Sequence, residues 1–242
     1  MQSTAIVIPA RMASTRFPGK PLVPLCGKPM ILHVIDRCRE SQLNVPIFVA
    51  TDSKEIVDVV CAYGVEVVFT GIHPTGTDRV VEFNEELNFD FLINVQGDEP
   101  VFNPNDISRF FSEFVKGRFG VATGYTEITD MKDFNDPNTL KVVVGARGNL
   151  IYVSRSPIPG SKDGKVPGAL RQVCLYGYSR DALKKYKMMP RSRNEIIEDH
   201  EILRFIDNEF PVGAIELSSD SFPVDVHSDI EFVEKILSKK YN

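Results

Sequence analysis

Three features that mark particular protein classes are scarce in this sequence: paired cysteines, long apolar runs and an excess of positive charge. The chain of 242 residues has four cysteines, Cys26, Cys38, Cys61 and Cys174, scattered without a CxxC pair or metal-ligand spacing. We therefore expect four reduced cysteines, as in a cytoplasmic protein. This spacing favours neither a disulfide framework nor a cysteine metal centre.

Long apolar runs are also missing. The longest apolar stretches, such as residues 5–9 and 91–95, have the length of a strand and are too short to span a membrane. The chain starts without a basic region followed by an apolar run, so no secretory signal is expected. These two absences predict a cytoplasmic protein that does not use a membrane.

The formal net charge is −5, which argues against a nucleic-acid-binding protein with its usual basic surface. Hydrophobic residues make up 43% of the chain and charged residues 25%, the balance of an ordinary globular protein. Any site for a polyanion must therefore be local, so the positions of a few arginines and lysines carry more information than their total number.

The first hundred residues alternate strand-like and helix-like segments. Strands are predicted at residues 5–9, 46–50, 65–69 and 91–95, and helices at 29–39, 54–63 and 78–87. The segment Thr51-Asp52-Ser53 stands where it can cap the second helix. This alternation predicts an α/β fold with a mainly parallel sheet flanked by helices, in which ligands bind at the carboxyl ends of the strands.

The pattern changes after residue 118. Strands without regular helical crossovers are predicted at residues 121–125, 140–144, 150–153 and 173–178, followed by helices at 195–208 and 228–238 around a strand at 212–217. We interpret 1–242 as a single domain in which residues 118–180 form a mixed-sheet extension. That extension is expected to cover the substrate and to supply a dimer surface.

The richest segment, Pro9 to Leu22, follows the first strand and reads PARMASTRFPGKPL. Backbone N–H groups of such a loop can surround phosphate oxygens, while Arg11, Arg16 and Lys20 neutralise them. The segment matches neither GxxxxGK[ST] nor GxGxxG, so a P-loop or dinucleotide fold is not indicated. The alternative is a solvated basic surface loop, which is less expected in an acidic chain directly after its first strand.

A second group of polar residues, NVQGDEP at 94–100, ends an apolar strand. Asp98 is well placed there to bind Mg²⁺ that bridges nucleotide phosphates, because Mg²⁺ commonly takes only one or two protein carboxylates. Asp225 is a candidate second ligand. Taken alone, either aspartate could instead belong to a turn or cap a helix.

Other polar segments are less specific. Residues 75–79, TGTDR, could contact a base or ribose but equally suit the start of a helix. The histidines share no metal spacing and are expected to be ordinary; they are His33, His73, His200 and His227. No Ser-His-Asp or Cys-His arrangement can be assembled from the sequence.

Taken together, these residues resemble the CMP-Kdo synthetases (3-deoxy-manno-octulosonate cytidylyltransferases), and the resemblance runs over nearly the whole chain. The matching pieces are IPARMASTRFPGKPL at 8–22, GKPMILHV at 27–34, VATD at 49–52, TGTDR at 75–79, NVQGDEP at 94–100, LKVVV at 140–144, YVSRSPIP at 152–159 and LYGY at 175–178. Their order and spacing together are specific, although no single piece would suffice.

The resemblance implies an α/β nucleotide-sugar transferase fold, a homodimer formed through the mixed-sheet extension, and Mg²⁺ as cofactor. It implies nucleotide binding by Ala10, Arg11, Ser14, Thr15, Arg16, Lys20, Thr77 and Arg79, and sugar binding by Gln96, Arg155, Gln172, Tyr176 and Glu201. It also implies Asp98 and Asp225 as the metal ligands and Arg11, Lys20, Asp98 and Asp225 as the catalytic set.

The chain departs from the family pattern in three stretches, and the changes cluster on the sugar side. The family's Arg-His-x-Gly-[Ile/Val]-Tyr reads here RQVCLY, with Gln172 for histidine. The family's Leu-Glu-Gln-Leu-Arg reads here HEILR, with Ile202 for glutamine. The stretch around Asp225 also keeps the aspartate but not its neighbours. Loss of a hydrogen-bonding glutamine discriminates against a substrate hydroxyl that needs it, so we hypothesise a modified or related 3-deoxy-ulosonic acid.

The function expected from the resemblance is transfer of CMP from CTP to Kdo or a close analogue, with release of pyrophosphate, for lipopolysaccharide or capsule synthesis. One alternative is a sialate-type synthetase that uses a nine-carbon acid, although RFPGKPL at 16–22 is more similar to the Kdo branch. Another is a non-catalytic nucleotide sensor on the same fold, which has less need of paired metal ligands. The expected partners are CTP and an acidic sugar, without nucleic acid or membrane.

Overall fold

The structure is a computed structural model that describes residues 2–13, 17–162, 164 and 168–241. Residues 240 and 241 are described by their backbone only. Contacts between residues divide the chain into two compact units, residues 1–109 with 220–242 (unit 1) and residues 110–219 (unit 2). Across the described ranges, no helix combines the length and the apolar character needed to cross a membrane.

The strands are β1 (Thr4–Ala10), β2 (Pro24–Leu25), β3 (Lys28–Pro29), β4 (Ile47–Thr51), β5 (Glu66–Phe69), β6 (Phe91–Val95), β7 (Val121–Glu127), β8 (Lys141–Val144), β9 (Leu150–Ser154), β10 (Leu170–Ser179) and β11 (Val212–Glu216). The α-helices are α1 (Met30–Glu40), α2 (Lys54–Ala62), α3 (Gly76–Leu87), α4 (Pro104–Lys116), α5 (Met131–Asn135), α6 (Arg180–Met188), α7 (Arg193–Glu198), α8 (Ile202–Asp207) and α9 (Asp229–Tyr241). A 3₁₀ turn covers Lys20–Leu22.

Unit 1 contains a parallel sheet in the order β5-β4-β1-β6. Every residue of β1 is buried, which agrees with its continuous apolar sequence and its central position. The chain passes from β1 outward to β4 and β5, and then returns to place β6 on the other side of β1. The order of the strands therefore reverses between β1 and β6, and ligands of such sheets bind at this reversal, outside the carboxyl ends of the strands.

Local sequence explains where the helices of this sheet begin. The Ser53 hydroxyl accepts a hydrogen bond from the Ile56 N–H at 3.3 Å, as predicted for the cap of α2. Thr75 caps α3 in the same way through the Asp78 N–H at 3.1 Å. Each cap satisfies one of the N–H groups that a helix start leaves without a partner, so the helices start immediately after the loops that follow β4 and β5.

Unit 2 contains a mixed sheet. β10 pairs antiparallel with β7 and, at its first residues, with β8, while β8 pairs antiparallel with β9 and β11 pairs parallel with β7. The pairing of β10 with β7 shifts register between Val173 and Tyr176. All four strands predicted between 118 and 180 are present, so the expected mixed-sheet segment lies within unit 2.

The helices of the second half differ from the prediction. The helix predicted over 195–208 is wrong as a continuous element, because Asp199 takes a left-handed conformation (φ 50°) and separates α7 from α8. Helices α4 and α6 were not predicted. In α4, Ile107, Phe110 and Phe114 are buried and recur every three to four residues, so helical periodicity alone could have indicated it.

Candidate active site

The loops after β1 and β6, and the segment before α9, bring three charged side chains of unit 1 together. The Lys20 ammonium lies 2.6 Å from the Asp98 carboxylate and 3.4 Å from the Asp225 carboxylate. Asp98 follows β6, and Lys20 starts the 3₁₀ turn that follows β1. The structure therefore places these three predicted residues at the point where the strand order reverses.

Asp225 reaches this place because its segment is tied to the Asp98 loop. The Val224 N–H donates to the Asp98 carbonyl at 2.9 Å, and the Phe222 N–H donates to the Val101 carbonyl at 3.0 Å. Beneath this pairing, an apolar cluster joins the segment to α1 and α9; its buried members are Leu25, Met30, Val224, Val233 and Leu237. Burial of this cluster holds the two aspartates close although they are far apart in sequence.

Gly97 explains why a glycine precedes Asp98. A Cβ atom at this residue would lie 3.1 Å from the Pro9 carbonyl oxygen and 3.6 Å from Ile8 Cγ2 in β1. The first distance is tighter than an ordinary contact, and its oxygen belongs to the backbone of the central strand, whereas the second is an ordinary van der Waals distance. The small residue thus lets the Asp98 loop cross close to β1.

The charge and chemistry of this group suit Mg²⁺. Asp98 and Asp225 present hard oxygen ligands on two sides of a cation, the Lys20 ammonium, which shows that both carboxylates can face one positive charge. In the part of the chain that the structure describes, no group of three or more His, Cys, Asp or Glu side chains could hold a metal ion. Two carboxylates are sufficient for Mg²⁺, which takes its remaining ligands from water and phosphates.

The other residues of the predicted phosphate loop lie between the end of β1 and Lys20 in the sequence. Ala10 is the last residue of β1 and is 5% exposed, while Arg11 immediately after it is exposed. Ser14, Thr15 and Arg16 lie outside the described residues. An exposed guanidinium at the carboxyl end of the central strand can bind a phosphate without first breaking a buried contact.

Thr77 and Arg79, predicted to bind the nucleotide, are both buried at the start of α3. The Arg79 guanidinium forms an ion pair with Asp52 at 3.0 Å and donates to the Thr70 hydroxyl and to the Gly71 carbonyl. These contacts fix α3 against the loop that follows β5. The Arg79 side chain thereby shapes this loop directly, whatever contact it makes with a nucleotide.

Gln96, which is predicted to contact the sugar, is half-buried in unit 1 just after β6. In unit 2, Arg155 is held between the end of β9 and α7. Its backbone N–H donates to Glu198 Oε2 at 2.8 Å, and its Nε donates to the Glu198 carbonyl at 2.8 Å. The side chain of Arg155 is 31% exposed, so this cation is oriented by the protein and still reachable by a ligand.

A chain of polar contacts runs through β10. Gln172 Nε2 donates to the Thr123 hydroxyl at 2.9 Å, and Thr123 stands opposite Tyr176 in the β7–β10 register. The Tyr176 hydroxyl lies 3.4 Å from His200 Nε2. Directly opposite residues of paired strands share a face. Gln172 and Tyr176 are therefore linked on one side of this sheet.

Burial controls the protonation of these groups. It raises the pKa of Tyr176 well above its usual value, with further contributions from Cys174, Tyr178 and Glu201. Burial, together with the nearby Arg155 charge, lowers the pKa of His200 to about 3. Tyr176 and His200 are therefore neutral at physiological pH. The Arg155 charge thus acts on His200, and the Glu201 charge acts on Tyr176.

Sequence reasoning missed several residues that shape this region. His200 was predicted to be ordinary, yet it contacts Tyr176 and its Nδ1 is buried without a hydrogen-bond partner. Glu198 was not selected, although it binds both the backbone and, through its carbonyl, the side chain of Arg155. Lys141 was also missed; the one signal was a lysine that opens an otherwise apolar strand.

A parallel α/β sheet with a basic loop after its first strand, and two carboxylates facing one cation beside that loop, is an arrangement that suits a nucleotidyltransferase. The comparison with known families agrees with this class. The model of the cytidylyltransferase family matches residues 5–215, and the chain belongs to this family.

Individual relatives match over nearly their full lengths. The chain is 38% identical to a 3-deoxy-manno-octulosonate cytidylyltransferase of Geobacter metallireducens, covering 99% of both chains. It is 36% identical to an 8-amino-3,8-dideoxy-manno-octulosonate cytidylyltransferase of Shewanella loihica, covering 98% of this chain and 99% of the relative. Both relatives are named as cytidylyltransferases of acidic eight-carbon sugars.

Solved structures confirm the fold class predicted from the sequence. A CMP:2-keto-3-deoxy-manno-octonic acid synthetase complexed with CTP has a TM-score of 0.92 and 35% identity, covering 99% of this chain and 100% of that chain. A putative glucose-1-phosphate thymidylyltransferase from Bacillus anthracis has a TM-score of 0.70 at 16% identity, covering 97% of this chain and 95% of that chain. The second similarity supports the fold alone.

Proposed function

We propose that this enzyme transfers CMP from CTP to 3-deoxy-manno-octulosonate (Kdo) or a close analogue and releases pyrophosphate. The observation that carries the proposal is the convergence of Asp98, Asp225 and Lys20 at the strand reversal. The names of the relatives and the CTP complex of the similar structure support the same two substrates. We place the reaction in lipopolysaccharide or capsule synthesis in the cytoplasm, without nucleic-acid or membrane partners.

Binding of CTP is assigned to unit 1. Arg11 and Lys20 are the described cations that we assign to the triphosphate, and Ser14, Thr15 and Arg16, which lie outside the described residues, are assigned to it as well. Thr77 and Arg79 form the start of the helix that we assign to the nucleoside. Arginine suits this role, because its planar guanidinium can bind two phosphate oxygens at once.

Mg²⁺ is the proposed cofactor, with Asp98 and Asp225 as its protein ligands. When bound, Mg²⁺ would neutralise charge on phosphate oxygens and favour deprotonation of a bound hydroxyl. Asp98 and Asp225 need a positive charge between them, which Lys20 supplies in this structure. In the complex, Lys20 is then available for the phosphates of CTP.

The reaction is proposed to be a direct displacement. The anomeric hydroxyl oxygen of the sugar forms a bond to the α-phosphorus of CTP and gives its proton to water. The bond from the α-phosphorus to the bridging oxygen breaks, and its electron pair leaves with pyrophosphate. Arg11 and Lys20 stabilise the charge on the leaving pyrophosphate. Phosphoryl-transfer enzymes work mainly by positioning and electrostatics, so no covalent intermediate is needed.

The sugar acid is assigned to Gln96 and to the polar residues of unit 2. Arg155 is proposed to pair with the sugar carboxylate, because it is a partly exposed guanidinium with a fixed orientation. Gln172, Tyr176 and Glu201 are proposed to bind hydroxyl groups. The Gln172 Oε1 atom is buried without a hydrogen-bond partner, and an unpaired buried acceptor favours a ligand or water that donates to it.

A homodimer formed through residues 118–180 and their neighbours is also proposed. Exposed apolar side chains of β9 and α7 support it: Ile151 is 49% exposed, and Ile196 and Ile197 are 59% and 65% exposed. The two elements are joined by the hydrogen bond from Ser154 to Glu198 at 2.6 Å. A neighbouring pair of apolar surfaces is the feature expected of a face that binds a second copy.

The decisive experiment measures pyrophosphate release from CTP with Mg²⁺, offering Kdo, 8-amino-Kdo and N-acetylneuraminate separately. Turnover with Kdo or 8-amino-Kdo is expected, and the preferred sugar identifies which of these two acids is the substrate. Preference for the 8-amino sugar would support the hypothesis drawn from Gln172 and Ile202, whereas equal affinity for Kdo and its analogues would refute it. Turnover with N-acetylneuraminate alone would assign a sialate-type enzyme, and CTP binding without any turnover would indicate a sensor.

A further inference from the structure

Lys141 is a charged residue in the interior of unit 2. It opens the apolar strand β8, and its side chain has no exposure to solvent. Its ammonium donates to the carbonyls of Asp136 at 2.8 Å, Thr139 at 2.6 Å and Arg155 at 2.6 Å. A lysine has three N–H donors and no acceptor, so these three carbonyls use its whole donor capacity.

The environment makes this lysine costly. Burial lowers its pKa and the nearby Arg155 charge lowers it further, while Asp136 and Glu198 raise it. A residue needed only to fill the interior could be apolar like the rest of β8, because replacing buried charges with packed apolar residues is often neutral or stabilising. Stability of the strand alone therefore does not account for a lysine here.

The positions of these three carbonyls determine the position of the Arg155 backbone and of the turn that its guanidinium contacts. One belongs to Arg155 itself. The other two belong to the first and last residues of the turn 136–139, in which the Pro137 carbonyl accepts a hydrogen bond from the Arg155 guanidinium at 3.2 Å. Lys141 thus holds both the backbone of Arg155 and the turn against which its guanidinium rests.

Glu198 and Asp199, at the end of α7, also hold Arg155 in place. Glu198 binds the Arg155 backbone N–H and Nε, and the Asp199 carbonyl accepts from the guanidinium at 3.4 Å. Contacts from two sides hold an arginine within the narrow range of positions that productive recognition of a carboxylate requires.

We propose that Lys141 is a positioning residue that sets the guanidinium of Arg155 for binding the carboxylate of the sugar acid. The proposal rests on the proposed role of Arg155. It predicts that Lys141 affects the sugar step through Arg155 and leaves the use of CTP unchanged.

The test compares Lys141→Met, Arg155→Met and the double variant in the full-length enzyme, with the KM values for sugar and CTP measured separately. Lys141→Met removes the three donors but keeps an unbranched side chain. We expect it to raise the KM for the sugar by about 10-fold or more, the scale of a misplaced binding group, with the KM for CTP unchanged. In the Arg155→Met background, Lys141→Met should add nothing to the sugar KM.

Two controls separate positioning from general damage. Leu183→Ala, in the buried face of α6, lowers stability without touching Arg155 and should leave the sugar KM unchanged at a matched loss of melting temperature. If Lys141→Met does not fold, Lys141→Gln, which keeps part of the donor capacity, carries the same comparison. NMR exchange of the Arg155 Nε–H provides a readout that needs no sugar, and it should accelerate in either Lys141 variant.

The outcomes distinguish this proposal from the proposed function. A raised sugar KM in Arg155→Met with an unchanged sugar KM in Lys141→Met would overturn the positioning role alone. An unchanged sugar KM in Arg155→Met would refute the carboxylate role and this inference with it. If none of the sugars is turned over, unchanged exchange of the Arg155 Nε–H in the Lys141 variants would still overturn the proposal, and accelerated exchange would support it.

Discussion

Among single residues, Asp98 concentrates most of what the site can do, because it faces the Lys20 ammonium and is tied through its carbonyl to the segment of Asp225. Its neighbour Gly97 permits the close approach of its loop to β1. The chemistry and the local backbone are thus fixed by two adjacent residues with different tasks.

Replacing Asp98 with asparagine keeps its size and removes its charge. We expect pyrophosphate release to fall by at least about 100-fold, the usual effect of removing one preorganised electrostatic contact at a reacting centre. The fold should persist, as measured by thermal unfolding. Asp220→Asn, an exposed aspartate near the same segment, is the matched control and should keep its activity; turnover of Asp98→Asn close to that of the control would contradict the metal assignment.

His200 gives a prediction for stability and pH. Its pKa is lowered to about 3 in the folded protein, against about 6.5 in an unfolded chain. The unfolded state therefore binds more protons between these values, so this histidine makes stability fall as the pH drops below about 6.5.

The measurement is the free energy of unfolding at pH 7 and pH 5, for the wild type and for His200→Leu. We expect the wild type to lose about 2 kcal/mol more than the variant over this interval, from the difference in proton binding. Leucine keeps the site apolar and cannot titrate. The same loss in both proteins would show that His200 is not held neutral.

At the scale of elements, a buried ion pair compensates for the break between α7 and α8. The Arg204 guanidinium donates to both carboxylate oxygens of Glu195, at 2.8 and 2.6 Å, and its centre lies 4.0 Å from the Tyr186 ring centroid. Glu195 also completes a capping box with Ser192 at the start of α7. Two short helices are thereby joined although a left-handed residue separates them.

We expect Glu195→Gln to cost about 3–5 kcal/mol in the free energy of unfolding, because it leaves the Arg204 charge buried without its partner. Denaturant unfolding measures this loss. The exposed pair Lys235–Glu231 on α9 serves as the comparison, and Lys235→Ala should produce no measurable change. A small loss in Glu195→Gln would mean that solvent reaches Arg204 when the pair is broken.

At the scale of the whole molecule, the residues proposed for CTP belong to unit 1, and those proposed for the sugar, apart from Gln96, belong to unit 2. Unit 1 carries the parallel sheet and the carboxylate–lysine group, and unit 2 carries the mixed sheet and Arg155. The apolar side chains exposed on β9 and α7 belong to unit 2. The proposed dimer contact is therefore formed by unit 2.

Sedimentation of the purified protein tests that assembly. We expect the wild type to sediment as a dimer and Ile197→Glu to sediment as a monomer, because a buried, unpaired carboxylate disfavours an apolar contact. Ile72→Glu changes an isoleucine of unit 1 that is 90% exposed, and it should leave the dimer intact. A monomeric wild type, or a dimer that only Ile72→Glu dissociates, would contradict the proposed dimer face on β9 and α7.

Much of the fold and part of the site could be predicted from local sequence. The apolar runs of β1 and β6 and the caps Ser53 and Thr75 are local signals, since burial and capping depend on a few neighbouring residues. In the segment after β1, the close spacing of three cations indicates phosphate binding. These features indicated the parallel sheet and a phosphate-binding loop with Lys20 and Asp98 beside it, whereas the class of enzyme came from the resemblance to the CMP-Kdo synthetases.

The tertiary structure alone decided which distant residues meet. Asp225 comes beside Asp98 only because Val224 pairs with the Asp98 loop and an apolar cluster holds it there. Lys141 reaches the Arg155 carbonyl only because β8 and β9 pair in one register. His200 is neutral because surrounding elements exclude water from it. Such contacts depend on packing between segments that are remote in the chain, and local spacing cannot encode the distances between them.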